Sequence, residues 1–243
     1  MIFLFTDFGT LGPYNGQVKA VLMRAAPTVP VIDLFLDAPM YDPRLSAYLL
    51  AAYAETFMPG DVFLCVVDPE VGTNRRPLVL YADGRWFVGP DNGLFELVRR
   101  RSRDLHVWVI EWIPTNLSAT FHARDLFAPI AARLARGEAS PGVQLAPDSI
   151  ARPNWPDELP RIIYIDAYGN AMTGLRAKTL GRNTLLEAAG RPIRRGRTFA
   201  DVPPGECLWY ANSNGLAEIA INQGRAAEAL GLHLGTLIDV SSS

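Results

Sequence analysis

Short apolar runs alternate with helically spaced apolar residues along the first half of the chain. The runs Ile2–Phe5, Val31–Leu36 and Val62–Val67 are rich in β-branched and aromatic residues and are closed by polar residues, so they are predicted to be buried strands. The segments Tyr14–Arg24 and Arg44–Thr56 lie between these runs and have the spacing of helices. This strand–helix–strand alternation predicts right-handed crossovers and a mainly parallel sheet.

A hairpin and two further elements are predicted downstream. The apolar runs Leu78–Tyr81 and Trp86–Val88 flank Asp83-Gly84, a dipeptide that favours a tight hairpin turn. Val107–Trp112 is predicted to be another strand, and Asp125–Arg136 has the pattern of an amphipathic helix. Together with the earlier runs, these elements predict an α/β domain.

The pattern changes near residue 140. Five prolines lie between Pro141 and Pro160 with little apolar periodicity, which indicates a linker. Short apolar runs separated by turn residues follow, and they favour a small antiparallel barrel or sandwich. We therefore predict an N-terminal α/β domain over residues 1–145, a proline-rich linker over 146–160 and a small C-terminal β-rich domain over 161–243. The predicted C-terminal strands are Arg161–Ile165, Thr198–Phe199, Glu206–Tyr210 and Leu216–Ala220.

Composition narrows the function classes. Of the 243 residues, 49% are hydrophobic and 20% are charged, as is usual for a globular protein. The net charge is −2, so the chain lacks the excess of positive charge that is typical of nucleic-acid-binding proteins. The basic clusters Arg99–Arg103 and Arg191–Arg197 are interpreted as solvated surface, with an anion site as the alternative. The first residues have no signal-peptide pattern, and no run reaches the ~18 apolar residues of a membrane span. A cytoplasmic protein without a membrane partner is expected.

The two cysteines do not indicate a redox or metal site. Cys65 and Cys207 are far apart in the sequence and have no spacing typical of a disulfide framework or a zinc site. Cys65 lies inside an apolar run, so it is expected to be a small buried hydrophobic residue.

Three apolar runs of the first domain end at aspartates, namely Asp7, Asp37 and Asp68. Ligands of open α/β sheets bind beyond the carboxyl ends of the strands, so these carboxylates indicate a polar site there. Asp37 is interpreted as a cap or turn residue, which is the commoner role of a lone aspartate. Asp7 follows a strand directly, where a carboxylate can accept hydrogen bonds from a ribose diol.

The segment after Asp68 and the segment around His122 contain the other candidate groups. Pro69 and Gly72 form a tight loop that can return Arg75 towards Asp68. His122, one of three histidines, lies at a loop-to-helix junction. Taken alone, an Asp–Arg pair is more often a salt bridge and a lone histidine is more often structural.

An ordered set of motifs gives these residues a shared context. The chain resembles the S-adenosylmethionine hydroxide adenosyltransferases, which are relatives of fluorinating and chlorinating enzymes that use the same substrate. The motifs occur in the family's order over nearly the whole chain. They are Thr6-Asp7-Phe8-Gly9, Asp68 through Arg76, Pro90 through Leu94, Thr120 through Pro129, Asp166 through Asn170, and Asn212 through Leu216, which continues through Gly224.

The resemblance implies an activity and a set of site residues. It implies hydrolysis of S-adenosylmethionine to adenosine and methionine, by attack of activated water on the ribose 5′ carbon, without a cofactor or a metal. Asp68, Arg75 and His122 match the family's catalytic triad, which the halogenating relatives do not keep. Which of Asp68 and His122 is the base stays open. The implied substrate-binding residues are Asp7 for ribose, and Asp166, Asn170, Ser213, Glu218 and the backbone near Ile221 for adenine and the methionine portion.

The resemblance also implies the architecture and the assembly. The family's fold is an α/β domain followed by a β-barrel-like domain, and its members form trimers. Each site lies between the first domain of one subunit and the second domain of its neighbour, so the protein partner implied here is a second copy of the chain.

Several positions depart from the family's pattern. Gly12 stands where an acidic residue is frequent, and Glu70 and Ala123 stand where glycine is usual. Glu70 adds a carboxylate beside the implied triad. Tyr41 matches an aromatic position that packs on substrate in the halogenating relatives, and its role here stays open.

Three alternatives to the hydrolysis of S-adenosylmethionine are kept. A halogenase would share the substrate and the fold. A metal-dependent phosphoester or nucleoside hydrolase would use Asp7, Asp68 and His122 as ligands, although their spacing is not that of a clustered metal site. A non-catalytic S-adenosylmethionine or adenosine-binding protein would need only the binding positions, so the presence of Arg75 and His122 counts against it.

Overall fold

The computed structural model describes residues 1–140 and 142–242. Pro141, one of the prolines of the predicted linker, and Ser243 lie outside these ranges. The chain divides into two compact units, Met1–Pro153 and Asn154–Ser243. No helix in the described ranges is long and apolar enough to cross a membrane.

The first unit contains seven strands and four α-helices within the part of the chain that the structure describes. The strands are β1 Ile2–Thr6, β2 Val31–Phe35, β3 Val62–Val66, β4 Pro77–Ala82, β5 Arg85–Pro90, β6 Leu105–Ile110 and β7 Gly142–Leu145. The helices are α1 Tyr14–Ala25, α2 Pro43–Ala54, α3 Glu96–Arg101 and α4 Ala128–Ala135.

The seven strands form one mixed sheet in the order β2-β1-β3-β5-β4-β6-β7. The pairs β2–β1, β1–β3 and β3–β5 are parallel, whereas β5–β4, β4–β6 and β6–β7 are antiparallel. The prediction of a mainly parallel sheet is therefore wrong. The tight turn at Asp83-Gly84 reverses the chain between β4 and β5, and every strand beyond β5 in the sheet continues the antiparallel pairing.

Local signals explain why the main elements form. Every residue of β1 and of β3 is buried, as expected for strands covered on both faces. Helix α2 begins with Pro43 after Asp42, whose carboxylate accepts a hydrogen bond from the Leu45 N–H at 2.9 Å. Cys65 in β3 is fully buried, which confirms its expected role as a small hydrophobic residue, and burial raises the pKa of its thiol.

The segment that contains His122 begins differently from its prediction. The predicted helix Asp125–Arg136 starts instead as a π-helical turn at Ala123–Phe127 and continues as α4. Ala123, Leu126 and Phe127 face the buried core beneath the sheet. The turn therefore anchors the chain immediately after His122.

The basic cluster Arg99–Arg103 is not a simple solvated surface. The carboxylate of the buried Glu96 accepts hydrogen bonds from Arg99 at 3.0 Å and from Arg100 at 2.6 Å. These side chains are only 14% and 19% exposed. Helix α3, which the hydrophobic pattern missed, is held by these pairs.

The predicted linker contains some regular structure. A 3₁₀ turn spans Pro147–Ile150, and Arg152 donates a hydrogen bond to the carboxylate of Asp91 at 3.1 Å. The following strand begins at Leu159. The division into residues 1–145, 146–160 and 161–243 stays a prediction.

The second unit is built from two antiparallel sheets. Over residues 154–242 they do not close into a barrel; one has the order β12-β13-β9-β8 and the other β11-β10-β14. The strands are β8 Leu159–Ile165, β9 Ala171–Arg176, β10 Thr184–Ala188, β11 Arg191–Ile193, β12 Cys207–Ala211, β13 Leu216–Ile221 and β14 Asp239–Ser242, and the short helix α5 is Ala226–Ala229.

One predicted strand of this unit is wrong. Thr198–Phe199 belongs to a 3₁₀ turn, because Thr198 and Asp201 form a reciprocal capping box at its start. The core of the unit includes the fully buried Trp209, whose indole N–H donates to the Thr184 carbonyl at 3.1 Å.

Candidate active site

Two of the strand-end aspartates lie at the same edge of the large sheet. Strands β1 and β3 are parallel neighbours, so Asp7 and Asp68 follow adjacent strands at their carboxyl ends. The Asp7 N–H donates to the Val66 carbonyl at 3.4 Å, which ties the two strand ends together. Burial raises the pKa of the Asp7 carboxyl, and the charge of Asp68 adds to this rise.

Asp68 and Arg75 form a buried bidentate ion pair. Arg75 Nε lies 3.1 and 3.0 Å from the two carboxylate oxygens of Asp68, and Nη2 lies 2.5 Å from Oδ2. Both side chains are 4% exposed. The prediction that the intervening loop returns Arg75 to Asp68 is confirmed. Bidentate guanidinium–carboxylate contacts fix orientation as well as charge.

His122 contacts the same guanidinium nitrogen that donates to Asp68 Oδ2. Arg75 Nη2 lies 2.9 Å from His122 Nδ1, and the guanidinium carbon lies 5.2 Å from the centre of the Phe127 ring. Because a guanidinium has only donors, Nδ1 must accept this hydrogen bond. A neutral His122 then holds its proton on Nε2, so the free edge of the ring presents a donor.

Electrostatics favour this neutral form. Burial lowers the pKa of the His122 imidazole, and the adjacent Arg75 cation lowers it further, while Asp68 and Asp125 act in the opposite direction. A neutral imidazole is the form that can accept from Arg75, so geometry and charge agree.

The loop around His122 is held by its own polar contacts. Asp125 accepts hydrogen bonds from the Ser118 N–H at 3.0 Å and from Arg124 at 2.6 Å. Arg124 also donates to Gln17 on α1 at 2.9 Å. These contacts join the π-helical turn to α1 and to the preceding loop.

Gly72 allows the loop of Asp68 to approach the loop of His122. Its φ angle is +81°, a conformation that favours glycine, and a Cβ at this position would lie 2.6 Å from the Ala119 carbonyl oxygen. No side chain can be accommodated there without moving one of the two segments. This contact, which sequence analysis missed, is a tertiary one between residues far apart in the chain.

The residues that depart from the family's pattern differ in their burial and in their contacts. Ala123 is buried in the core, and Glu70 is exposed, with its carbonyl accepting from Thr73. Gly12 is exposed with a φ of +99°. Tyr41 adopts φ +58°, is 73% exposed, and donates its N–H to Asp7 at 3.1 Å. This backbone contact had no sequence signal, because any residue supplies an N–H.

The second unit holds a separate group of the predicted residues. Asp166 Oδ1 accepts from the N–H groups of Tyr168 and Asn170, both at 2.9 Å, and Oδ2 accepts from the Asn170 side chain at 3.0 Å. Asp166 and Asn170 therefore form one closed turn between β8 and β9.

Glu218 lies buried on β13, at 4% exposure. Its carboxylate accepts from the Tyr210 hydroxyl and from the Asn212 amide, the latter at 2.9 Å. Burial raises the pKa of Glu218, these two hydrogen bonds oppose the rise, and the charge of Asp166 adds to it. Tyr210 was missed by sequence analysis; it faces Glu218 across the β12–β13 ladder, a pairing that needs the register.

Ser213 precedes β13, and Ile221 is the last residue of that strand. Ser213 is exposed in the turn before the strand, where its hydroxyl donates to Asn214 at 3.1 Å. Ile221 ends the strand, and its carbonyl accepts from the Gly224 N–H at 3.1 Å. The predicted residues thus form two sets, with Asp7, Asp68, Arg75 and His122 in the first unit and Asp166, Asn170, Ser213, Glu218 and Ile221 in the second.

Two of the side chains considered as metal ligands, Asp68 and His122, surround an arginine. Within residues 1–140 and 142–242, no three His, Cys, Asp or Glu side chains are arranged to hold a metal ion. In the first unit, the Arg75 cation contacts both Asp68 and His122. A cation at this position is unsuited to a shared metal site.

Comparisons with known proteins agree with the arrangement of these motifs. The models of the SAM hydroxide adenosyltransferase N-terminal and C-terminal domains match residues 2–144 and 160–239. Proteins named (R)-S-adenosyl-L-methionine hydrolase are 40% identical in Thermus thermophilus, over 96% of each chain, and 37% identical in Salinispora arenicola, over 98% of this chain and 96% of the other. The crystal structure of an uncharacterized conserved protein from Thermotoga maritima matches with a TM-score of 0.89 and 29% identity over 99% of each chain. The chain belongs to the SAM hydroxide adenosyltransferase family.

Proposed function

We propose that this chain hydrolyses S-adenosyl-L-methionine to adenosine and L-methionine. The relatives named (R)-S-adenosyl-L-methionine hydrolase support this activity across nearly the full length of the chain. The single structural observation behind it is the buried cluster in which Arg75 contacts both Asp68 and His122.

The reaction requires activation of the nucleophile rather than of the leaving group. Methionine leaves the sulfonium as a neutral thioether, so no general acid is needed at sulfur. Water, with a pKa of ~15.7, must lose a proton as it attacks the ribose 5′ carbon. The site therefore needs a cation that stabilises negative charge on the attacking oxygen and a group that accepts its proton. The positive charge of the sulfonium and the negative charge of the hydroxide cancel as the new C–O bond forms.

The cluster supplies both groups. Arg75 is always charged and stabilises negative charge that develops on the attacking oxygen. In the tautomer derived above, His122 has an acceptor only at Nδ1, which Arg75 occupies, and a donor at Nε2. We therefore assign the role of proton acceptor to Asp68, which keeps lone pairs beyond those used by Arg75, and assign to His122 Nε2–H the role of orienting the nucleophile.

Substrate binding is distributed over the remaining residues. Asp7 accepts the ribose hydroxyls, while Asp166, Asn170, Ser213, Glu218 and the backbone near Ile221 bind adenine and the methionine portion. The proposed chemistry uses no cofactor and no metal. We propose a cytoplasmic homotrimer whose sites combine the two units of neighbouring subunits.

Solvent isotope incorporation tests this function directly. The full-length protein is incubated with S-adenosylmethionine in oxygen-18 water, with and without chloride. The products are separated by chromatography, and their masses are measured by mass spectrometry. Adenosine labelled at the 5′ oxygen and free methionine are expected in both conditions. A 5′-chloro nucleoside in chloride would support the halogenase instead, and substrate recovered unchanged would support a binding protein.

A matched pair of variants connects the activity to the cluster. Arg75→Ala removes the central cation, whereas Arg76→Ala removes the next arginine, which pairs with Asp91 outside the cluster. Loss of labelled adenosine only in the Arg75 variant is expected. Equal loss of labelled adenosine in both variants would contradict a catalytic role specific to Arg75.

A further inference from the structure

A concave basic surface in the second unit is lined by residues other than those proposed to bind substrate. A cavity of about 590 Å³ is lined by Arg182, Arg195, Gly196, Arg197, Asp201 and Ala211. A second cavity of about 340 Å³ is lined by Arg182, Arg194, Arg195, the first two residues of β10 and Asn183 immediately before it. Because Arg182 and Arg195 line both cavities, the two adjoin. We call the combined surface the arginine depression.

Four guanidinium groups line the arginine depression without a protein counter-ion. Arg182 precedes β10, while Arg194, Arg195 and Arg197 follow β11. All four residues are exposed, and the hydrogen bonds and ion pairs of residues 154–242 leave their guanidinium groups unpaired. Like charges that line one surface repel one another, so an anion that binds among them relieves that repulsion.

Two contacts hold the depression in shape. The guanidinium of Arg195 lies over the ring of the fully buried Trp209, 4.9 Å from its centre, so this charge is positioned by the core. Asp201 is the acidic residue of the lining. Its carboxylate accepts the N–H of Arg197 at 2.6 Å and that of Thr198 at 3.4 Å, and thus holds the loop of Arg197 rather than pairing with a guanidinium.

The layout of charge identifies the class of ligand. Arg197 lines only the larger cavity and Arg194 only the smaller one, with Arg182 and Arg195 at their shared wall. A single phosphate would contact only some of these four arginines, whereas a chain of linked phosphates would contact arginines in both cavities. The larger cavity also falls within the ~300–1,000 Å³ of small-molecule sites.

We propose that the arginine depression binds a small polyanion with two or more linked phosphate groups. This site is independent of the proposed hydrolysis, because S-adenosylmethionine carries a sulfonium cation that four arginines would repel. A nucleic-acid backbone is disfavoured by the net charge of −2. Linked phosphates occur both in inorganic polyphosphate and in nucleoside triphosphates, and the experiment distinguishes these sources.

Calorimetric titration of the full-length protein with inorganic tripolyphosphate tests the site at physiological salt. The test variant is Arg182→Gln/Arg197→Gln. The matched control is Arg24→Gln/Arg103→Gln, which removes two exposed arginine charges from the first unit. We expect the dissociation constant to rise about tenfold or more in the test variant and to change less than about twofold in the control, since charge-assisted phosphate contacts dominate such binding. Circular dichroism checks that both variants fold.

Further titrations decide between the ligand classes. Monophosphate should bind roughly tenfold more weakly than tripolyphosphate. A nucleoside triphosphate that binds as tightly as tripolyphosphate shows that phosphates alone are recognised, and tighter binding identifies the nucleotide as the source; both results support the site. Absence of tripolyphosphate binding, equal loss in test and control variants, or tighter binding of duplex DNA that requires the same arginines would overturn the proposal.

Discussion

Arg75 contacts both other members of the catalytic cluster, so its removal and the removal of His122 should interrupt the same step. We expect Arg75→Ala and His122→Ala each to lower kcat by about 10²–10³-fold, because each removes a group that stabilises or orients the attacking oxygen. The double variant should lose less than the product of the two effects, because groups that act as a unit are non-additive. Single-turnover kinetics with a separate binding measurement checks this. Multiplicative losses would indicate independent roles.

The protonation of His122 gives a second prediction at the same scale. Its lowered pKa means that the neutral form persists below pH 6.5, the ordinary value, and is lost as pH falls through the lowered pKa. Arg75→Gln removes a cation and should raise the His122 pKa, whereas Asp125→Asn removes an anion and should lower it. Proton NMR titration can measure the His122 pKa in each variant, because the chain has only three histidines and their ring signals can be assigned separately. Shifts in the same direction in both variants would contradict the electrostatic account.

The residues of the site differ in how far the sequence could predict them. Asp68 and Arg75 are seven positions apart, and Pro69 and Gly72 between them indicate a turn, so their contact could be predicted locally. His122 is 47 positions from Arg75, and its place in the cluster came only from the resemblance to a family. The Tyr41 N–H on Asp7 and the Tyr210 hydroxyl on Glu218 depend on backbone geometry and strand register, which no local pattern reports.

At the scale of elements, the loop of Asp68 and the loop of His122 are predicted to act as one assembly through Gly72. Gly72→Ala places a Cβ 2.6 Å from the Ala119 oxygen and should separate the two loops, lowering kcat strongly. Gly60→Ala is the matched control. Its φ of +89° is equally unfavourable for alanine, but a Cβ there meets nothing within 4 Å.

Both glycine variants should lose about 1–2 kcal/mol of stability from the left-handed backbone conformation. Only Gly72→Ala should also lose activity beyond the unfolded fraction. Thermal denaturation and kcat measured on the same samples separate the two effects. Full activity in folded Gly72→Ala would show that the close approach to Ala119 is not needed.

Predictability also varied among the elements. Strands β1 and β3 could be predicted because every position in them is apolar or nearly so and buried. Strand β10 was missed because its inward positions include Thr184 and Ala188, which give a weak hydrophobic alternation. The antiparallel hairpin of β4 and β5 was predicted from the turn residues at Asp83-Gly84, and the structure confirms it. The further antiparallel pairing of β6 with β4 was missed because it depends on strand order, which periodicity does not encode.

At the scale of the whole molecule, the proposed site residues are divided between two compact units of the chain. Asp68, Arg75 and His122 belong to Met1–Pro153, and Asp166 and Glu218 belong to Asn154–Ser243. If each site combines the first unit of one subunit with the second unit of its neighbour, a defect in one unit can be complemented by a subunit with a defect in the other.

Co-expression of Arg75→Ala and Glu218→Gln subunits with different affinity tags tests this arrangement. Each variant alone should have little activity, but in randomly mixed trimers roughly a quarter of the sites pair an intact first unit with an intact second unit. The matched control is co-expression of Arg75→Ala with His122→Ala: both defects lie in the first unit, so no site in the mixture has an intact one. Recovery of activity only in the first mixture, in particles with the mass of a trimer by light scattering, is expected. If neither mixture recovers activity, each site is contained in one subunit, because only a site shared between subunits can be completed by a neighbour.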